Sequence, residues 1–599
     1  MLKLHIMSVN IPCLVSHNRR AFTTLKTQLR SFFASSKTCN PKNFKDYESI
    51  KQEYKPEVPE YFNFANDVLD KWSGIEKAEN RGSNPAFWWL SEYGQEVKWS
   101  FQDLEVHSKK VANVLSDACD LQLKDRVLVV LPRVPEWWLI NIACIRTGTI
   151  LIPGTTQLTA RDILHRLQAS KAKCIVTDDS LADAVESVAS KCTSLKAKIV
   201  VSKKHKQGWI NFQDLFRNAS DNHRCAKTKS VDPMAIFFTS GSTGPPKMVL
   251  HTQCSYGIGH TMNGRSETNS INLEYWLDLT PSDVIWNTSD TGWAKNAWNS
   301  FFAPWIQGAC AFVHQMPRFE PKIILEVLSK YPITTFCCPP TAYRMLVQND
   351  LTSYRFRSLQ HCVTGGEPSS PEVMAKWKEE TGLDIYEGYG QSETVLLCAT
   401  LKGMKIKPGS MGKPVPSINV QIIDENHNVV PPGVEGQIAI QMKPVRPLGL
   451  FSGYIADPEQ TAAVLQEDYY LTGDCGRMDE DGYIWFHERS DDVILSAGYR
   501  IGPFEVENAL ATHRAVADCA VVSSPDPIRG EVVKAFIVQN AAYTLADPDK
   551  LIQELQDHVK KVTAPYKYPR KIEFVKELPK TISGKVKRSE LRKKEWGQS

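Results

Sequence analysis

The stretch Thr239-Ser240-Gly241-Ser242-Thr243-Gly244-Pro245-Pro246-Lys247 follows an apolar run, Ala235 to Phe238, and has the composition of a cradle for an anion. Glycines let the backbone turn its amides inward, hydroxyls add donors, and the terminal lysine supplies a counter-charge. Such a loop suits phosphate. Its spacing is not that of the common ATPase phosphate loop, because Pro246 stands before Lys247 and no Gly-Lys-Ser/Thr follows. Composition alone also describes a Gly/Ser/Thr hairpin turn with no ligand. The choice between the two depends on whether other segments supply the rest of a nucleotide site.

Such segments are present. They are Tyr386-Glu387-Gly388-Tyr389-Gly390-Gln391-Ser392-Glu393-Thr394, Tyr470-Leu471-Thr472-Gly473-Asp474, Arg489-Ser490-Asp491-Asp492, Gly498-Tyr499-Arg500-Ile501-Gly502 and Pro579-Lys580-Thr581-Ile582-Ser583-Gly584-Lys585. Together with the opening loop, their order and spacing resemble the acyl-adenylate-forming (AMP-binding) superfamily of acyl-CoA synthetases, luciferases and peptide-synthetase adenylation domains. The resemblance covers the chain beyond its first fifty or so residues. Ser289-Asp290-Thr291-Gly292-Trp293, Gly409-Ser410-Met411-Gly412-Lys413-Pro414 and Ala564 to Lys571 are similar, within it, to the mitochondrial medium-chain acyl-CoA synthetases, or butyrate-CoA ligases.

The resemblance implies a two-step activation of a carboxylic acid. An acid oxygen is a poor leaving group, so it is first joined to AMP with loss of pyrophosphate, and the CoA thiol then attacks the mixed anhydride. In the family the loop from Thr239 to Lys247 wraps the β- and γ-phosphates. Ser240, Gly241, Ser242, Thr243, Gly244 and Lys247 match that pattern, with Pro245 and Pro246 inside the same loop. Glu393 is implied as the magnesium ligand and Thr394 as an α-phosphate contact, a hard carboxylate suiting a hard cation. Glu387, Gly388, Tyr389, Gly390, Gln391 and Ser392 belong to the same ATP segment, with Ser392 where the family often has threonine. Gly366-Glu367-Pro368 resembles the adenine lining, Asp474 the acid that accepts the ribose hydroxyls, and Arg489 its assisting arginine.

Lys585 is implied as the first-step lysine, which enters from a small domain and neutralises the carboxylate and α-phosphate oxygens as the anhydride forms. For the second step that domain turns about a hinge at Asp491. Ala497, Gly498 and Tyr499 then build the pantetheine tunnel, while Arg500 faces the AMP phosphate in one of the two states. Arg529, Lys560, Tyr568, Pro569 and Arg570 resemble positions that hold the nucleotide end of CoA, where arginine forms fork-like phosphate contacts. ATP and CoA are thus expected as co-substrates and magnesium as cofactor.

Acetyl-CoA synthetases carry tryptophan directly before the Gln of this motif, and here that position is Gly390. The missing indole is expected to leave room for a longer apolar chain, with Trp293 as part of the pocket wall. Each added methylene contributes about 0.8 kcal/mol, so neighbouring chain lengths are expected to be poorly separated. Arg265-Ser266-Glu267-Thr268-Asn269-Ser270 stands as extra length near this region. Two other readings stay open: an adenylation enzyme that serves a carrier protein, and a catalytically silent acyl- or nucleotide-binding module.

The elements that must position these groups are legible in outline. Short β-branched runs, Val127 to Leu131, Cys174 to Thr177, Ile199 to Ser202 and Thr334 to Cys338, alternate with helical patterns such as Gln102 to Ala118 and Ala160 to Ala169. That alternation predicts α/β layers with parallel sheets. Pro/Gly turns and short strands near Val415 to Ile440 predict a β subdomain. The expected organisation is a large N-terminal domain of stacked α/β subdomains plus this β subdomain (46–488), a hinge (489–492) and a small mobile α+β C-terminal domain (493–599).

With 599 residues, 42% hydrophobic, 23% charged and net charge +4, the chain is too long for one compact domain and too balanced in charge to suggest nucleic acid. Its 15 cysteines contain no C-x-x-C pair, which points to scattered thiols in a reducing compartment rather than zinc. Lys3, Arg19, Arg20, Lys26, Arg30 and Lys37 precede the first acidic residue, Asp46. Residues 1–45 therefore read as a mitochondrial transit peptide, with the matrix as destination. The most apolar stretch, Val127 to Pro153, is broken by Arg133, Glu136 and Arg146, so no membrane span is expected. Partners are expected to be small molecules, and the chain a monomer.

Overall fold

The computed structural model describes residues 47–53, 58–239, 246–259, 272–489, 492, 494–496, 499–527, 529–540, 543, 548–563, 565–580 and 586–597. Residues 1–46 (which include the expected transit peptide), Ser240 to Pro245, Arg265 to Ser270, Asp491, Ala497, Gly498 and Lys585 lie outside the described residues.

Apolar runs become strands where they are short and helices where they are long. Arg126–Val130, Ile150–Gly154, Cys174–Asp178 and Ala197–Val201 pair in parallel, buried along most of their length, as expected of strands covered on both faces. Between the first two runs a helix, Pro135–Thr147, starts on proline and stops at Gly148, whose φ of 66° gives the left-handed cap. The stretch Val127 to Pro153 is thus a buried strand–helix–strand unit. Among the described residues no helix is long and apolar enough to cross a membrane. Phe101–Asn113 begins with a reciprocal Ser100/Asp103 capping box and loosens into a π-helical turn over Val114–Ala118.

Eight strands carry the candidate site and are numbered in chain order: β1 (Pro233–Thr239), β2 (Lys247–Thr252), β3 (His361–Gly365), β4 (Ile385–Gln391), β5 (Val395–Ala399), β6 (Gly453–Tyr454), β7 (Tyr469–Met478) and β8 (Ile484–Arg489). An eight-stranded sheet ends in the order Ile150–Gly154, β1, β2, β6, and a nine-stranded sheet contains β3, β4 and β5 in that order towards one edge. Both sheets have parallel centres; the nine-stranded sheet is antiparallel at both margins and the eight-stranded sheet at the margin formed by β1, β2 and β6. One buried cluster joins them, with Val127 and Val249 from the first, Ile285 and Val363 from the second, and Ile438 and Ile440 from a third sheet.

That third sheet is antiparallel and four-stranded: Val420–Ile423, Glu435–Gln441, β7 and β8. It is the expected β subdomain, and it continues to Arg489. The chain then enters a separate sheet built on Ile494–Ser496, Tyr499–Ile501, Val516–Asp526, Gly530–Gln539 and Lys571–Phe574, which has its own core of Ile494, Val506, Val521, Val533 and Leu555. The change of sheet falls between Arg489 and Ile494.

Candidate active site

β1 and β2 pair with Thr239 opposite Lys247, so the hairpin closes the base of the glycine-rich loop and presents its lysine at the start of β2. β6 adds on the far side of β2, with Tyr454 opposite Val249. The Lys247 Nζ lies 5.0 Å from the centre of the Tyr454 ring. The Tyr454 hydroxyl donates to Glu393 Oε1 at 2.9 Å. A lysine and a carboxylate from distant parts of the chain therefore flank one aromatic side chain.

The backbone around Glu393 is tied to the same sheet. Phe451 N–H donates to the Glu393 carbonyl at 2.8 Å. The His251 Nε2 is 2.6 Å from the Ser392 carbonyl, which only accepts, so Nε2 carries the proton and Nδ1 faces the Ser255 hydroxyl at 2.9 Å. Burial raises the Glu393 carboxyl above its ordinary range, against the Tyr454 hydrogen bond and the attraction of Lys247. One hard carboxylate with neighbouring hydroxyls suits magnesium held jointly with phosphate oxygens, since that ion takes few protein ligands. The donor chemistry fits.

Asp474 is 4% exposed and receives several donors. The Tyr389 hydroxyl lies 2.5 Å and Gln391 Nε2 2.6 Å from Oδ2, and Arg489 Nη1 lies 3.2 Å from Oδ1. Arg489 stands directly across the β7–β8 ladder from Asp474. Gln391 is in turn oriented by the Tyr470 hydroxyl, which donates to its Oε1 at 2.8 Å. β4 and β7, from two different sheets, thereby meet at one carboxylate.

On the other side of β4, Gly366 has φ of 99°, a conformation that favours glycine, and Thr341 donates to Glu367 Oε2 at 2.6 Å. Pro368 follows in the same bend. Glu387 is almost fully buried, its Oε2 has no hydrogen-bond partner among the described residues, and burial pushes its carboxyl up to about 8 against the pull of hydrogen bonds from Ser369. Gly388 is required by close packing, since a Cβ there would sit 2.7 Å from the Trp276 indole.

The family model for AMP-binding enzymes matches residues 75–455, and that for the AMP-binding enzyme C-terminal domain matches 505–585. The chain is a member of the AMP-binding enzyme family. It is 63% identical over 568 residues, 95% of each chain, to the human protein named acyl-coenzyme A synthetase ACSM3, mitochondrial. It is 58% identical over 570 residues to mouse acyl-coenzyme A synthetase ACSM4, covering 95% of this chain and 97% of that one. Among solved structures, it is similar to the anthranilate CoA ligase AuaEII in complex with anthranoyl-AMP, with TM-score 0.80 and 26% identity over 90% of this chain and 98% of that one. An acyl-CoA synthetase from Brucella canis matches with TM-score 0.69 and 29% identity, over 92% and 99% of the two chains.

In this AMP-binding enzyme the main chain crowds the position of Gly390. The β4–β5 hairpin shifts register between Tyr389 and Gly390, and a Cβ at Gly390 would lie 1.9 Å from the Val395 carbonyl oxygen. Main chain fills the space a side chain would take. Val395 itself has φ of 62°, a strained conformation for a β-branched residue. Trp293 is half-buried, unlike the fully buried Trp137, Trp138, Trp276, Trp286, Trp305 and Trp377. Its loop is held by Arg133, which donates to the carbonyls of Thr288, at 2.7 Å, and Ser289, at 3.3 Å.

Beside the C-terminal sheet, between the helix Pro548–Val562 and the strand Lys571–Phe574, the structure brings Lys560, Tyr568 and Arg570 together. Lys560 Nζ and Arg570 Cζ lie 4.5 and 4.7 Å from the Tyr568 ring centre, and Arg570 donates to the Tyr568 hydroxyl at 2.6 Å. The Pro569 carbonyl accepts from Gln556 at 3.0 Å. Arg529 sits apart, exposed on the turn before Gly530–Gln539, and Tyr499 and Arg500 open the strand that pairs with Ile494–Ser496. Sequence reasoning did not find Tyr454, His251, Tyr470 or Arg133.

Two outcomes follow. Gly390→Ala is expected to lower turnover with every acid alike and to reduce the melting temperature by a few degrees, because it pushes on the hairpin backbone; an acid-length series and a thermal scan check it. Glu387, whose folded carboxyl titrates near 8, binds a proton in the folded chain that the unfolded chain releases near its ordinary 4.5. Its contribution to stability therefore falls as pH rises from about 4.5 to 8. The stability of Glu387→Gln relative to the parent chain should rise across that window by up to about 1.4 kcal/mol per pH unit, measured by denaturant unfolding.

Proposed function

We propose that this chain is an acyl-CoA synthetase that joins a medium-chain carboxylic acid to coenzyme A through an acyl-AMP intermediate, releasing AMP and pyrophosphate. The observation that carries the reading is that Lys247 and Glu393 flank Tyr454 while Asp474 pairs with Arg489, whose charge also acts on Glu393. Relatives named as acyl-coenzyme A synthetases over nearly the whole chain support it. Family membership and that name suit an ATP-using acid–thiol ligase.

Lys247 and the loop before it contact the β- and γ-phosphates, Asp474 accepts the ribose hydroxyls with Arg489 at its side, and Gly366 to Pro368 with Glu387 lines the adenine. Bound at Glu393 with Thr394 nearby, magnesium would offset the charge that gathers on departing pyrophosphate. Lys585 meets the acid and α-phosphate oxygens from the small domain, 493–599. Rotation at Asp491 then brings Ala497, Gly498 and Tyr499 to the thiol path, and Lys560, Tyr568, Pro569, Arg570 and Arg529 to the nucleotide end of CoA. Arg500 faces the AMP phosphate. Trp293 forms part of the acyl wall, so apolar burial sets the preferred length. The leader and the relatives' mitochondrial names support the matrix as the compartment.

The test is pyrophosphate release and thioester formation by the purified chain with ATP, magnesium and CoA, across acids from acetate to palmitate. A broad maximum between about butyrate and decanoate is expected, because each methylene adds only about 0.8 kcal/mol. Pyrophosphate release without a CoA thioester would transfer the acyl group to another acceptor, and no release with any acid would overturn the reading.

A further inference from the structure

We propose that Tyr454 is the positioning residue that fixes the carboxylate of Glu393 against the ammonium of Lys247. The inference rests on the reading of Glu393 as a magnesium ligand and Lys247 as a phosphate contact. It assigns to a third residue the task of keeping those two groups at a usable separation.

Tyr454 is held on every side. Its strand pairs with β2, and the flanking backbone adds Ser452 N–H to the Leu250 carbonyl at 2.8 Å and Ile455 N–H to the Met248 carbonyl at 2.9 Å. Its own N–H donates to Thr461 Oγ1 at 2.9 Å. The preceding Gly453 has φ of 145°, and a Cβ there would sit 2.9 Å from the Thr461 methyl, so the bend into Tyr454 is specific to glycine. The Phe451 ring packs edge-on at 4.9 Å. Tyr454 is 9% exposed.

A side chain so confined aims its two ends reproducibly. The hydroxyl has one proton, and it goes to Glu393 Oε1. That bond turns the carboxylate and leaves Oε2 for a cation, the part that outer hydrogen bonds play around metal ligands. The ring face meets Lys247, an attraction available to an ammonium over an aromatic ring. A direct Lys247–Glu393 ion pair would have to be broken before phosphate and metal could enter. With the ring between them, each keeps a weaker partner that substrate can displace.

The experiment is ATP binding by the full chain without acid or CoA, followed by calorimetry as magnesium is varied. Tyr454→Phe keeps the ring and removes the hydroxyl. It is expected to raise the magnesium concentration for half-maximal binding by about tenfold or more, while binding of ATP in the presence of a chelator stays at the parent level. Tyr454→Leu, which also removes the ring, should weaken the metal-free binding as well. An unchanged magnesium dependence in Tyr454→Phe, with that dependence lost in Glu393→Gln, overturns the role of Tyr454 and leaves Glu393 as ligand. Magnesium dependence that survives Glu393→Gln overturns the reading beneath it. Should Tyr454→Phe fail to fold by circular dichroism, Thr461→Val loosens Tyr454 from outside the cleft: a smaller shift in the same direction supports the proposal, and no shift rejects it.

Discussion

The antiparallel pairing of β6 with β2 is the contact on which the cleft depends. β2 begins at Lys247, carries His251 at its far end and continues the hairpin that closes the glycine-rich loop. β6 is only two residues long, yet it brings Tyr454 beside Val249, from where its hydroxyl reaches Glu393. His251 and Phe451 fix the main chain of Ser392 and Glu393 to the same sheet. A shift of one residue in this short pairing would turn Tyr454 to the opposite face and separate the two charged groups.

Three buried or half-buried carboxyl groups around β4 meet the cost of burial in three ways. Asp474 is surrounded by donors from Tyr389, Gln391 and Arg489. Glu393 has a single hydroxyl donor and a nearby lysine, which leaves it able to take a cation. Glu387 has one oxygen without a partner among the described residues and keeps its proton to an unusually high pH. Environment alone thus sorts one functional group into a donor-surrounded acid, an acid beside a lysine and a neutral acid.

Much of this was legible in the sequence where the signal is local. The Gln-Ser-Glu-Thr and Thr-Gly-Asp segments mark their residues by type and spacing, and strand–helix alternation gives the parallel sheets within a residue or two at the ends. Tyr454, Tyr470 and His251 were not legible, because each is an ordinary residue whose role arises from pairing across large sequence separations. The crowding at Gly390 was hidden for a related reason. A glycine looks like empty space in a sequence, whereas the register shift beside it turns the missing Cβ into the main chain of Val395. The π-helical turn at Val114–Ala118 was hidden as well, since its apolar spacing is that of the helix it extends.

The direct test of an acyl-AMP route in this cleft is the fate of the carboxylate oxygens. With an acid labelled at both oxygens by heavy oxygen, a single turnover with ATP and CoA should leave one labelled oxygen in AMP, one in the thioester carbonyl and none in pyrophosphate. Label in pyrophosphate or inorganic phosphate, or AMP without label, would mean that the acid is not activated on the α-phosphate and would contradict the assignment of Lys247, Glu393 and Asp474 to an adenylating site.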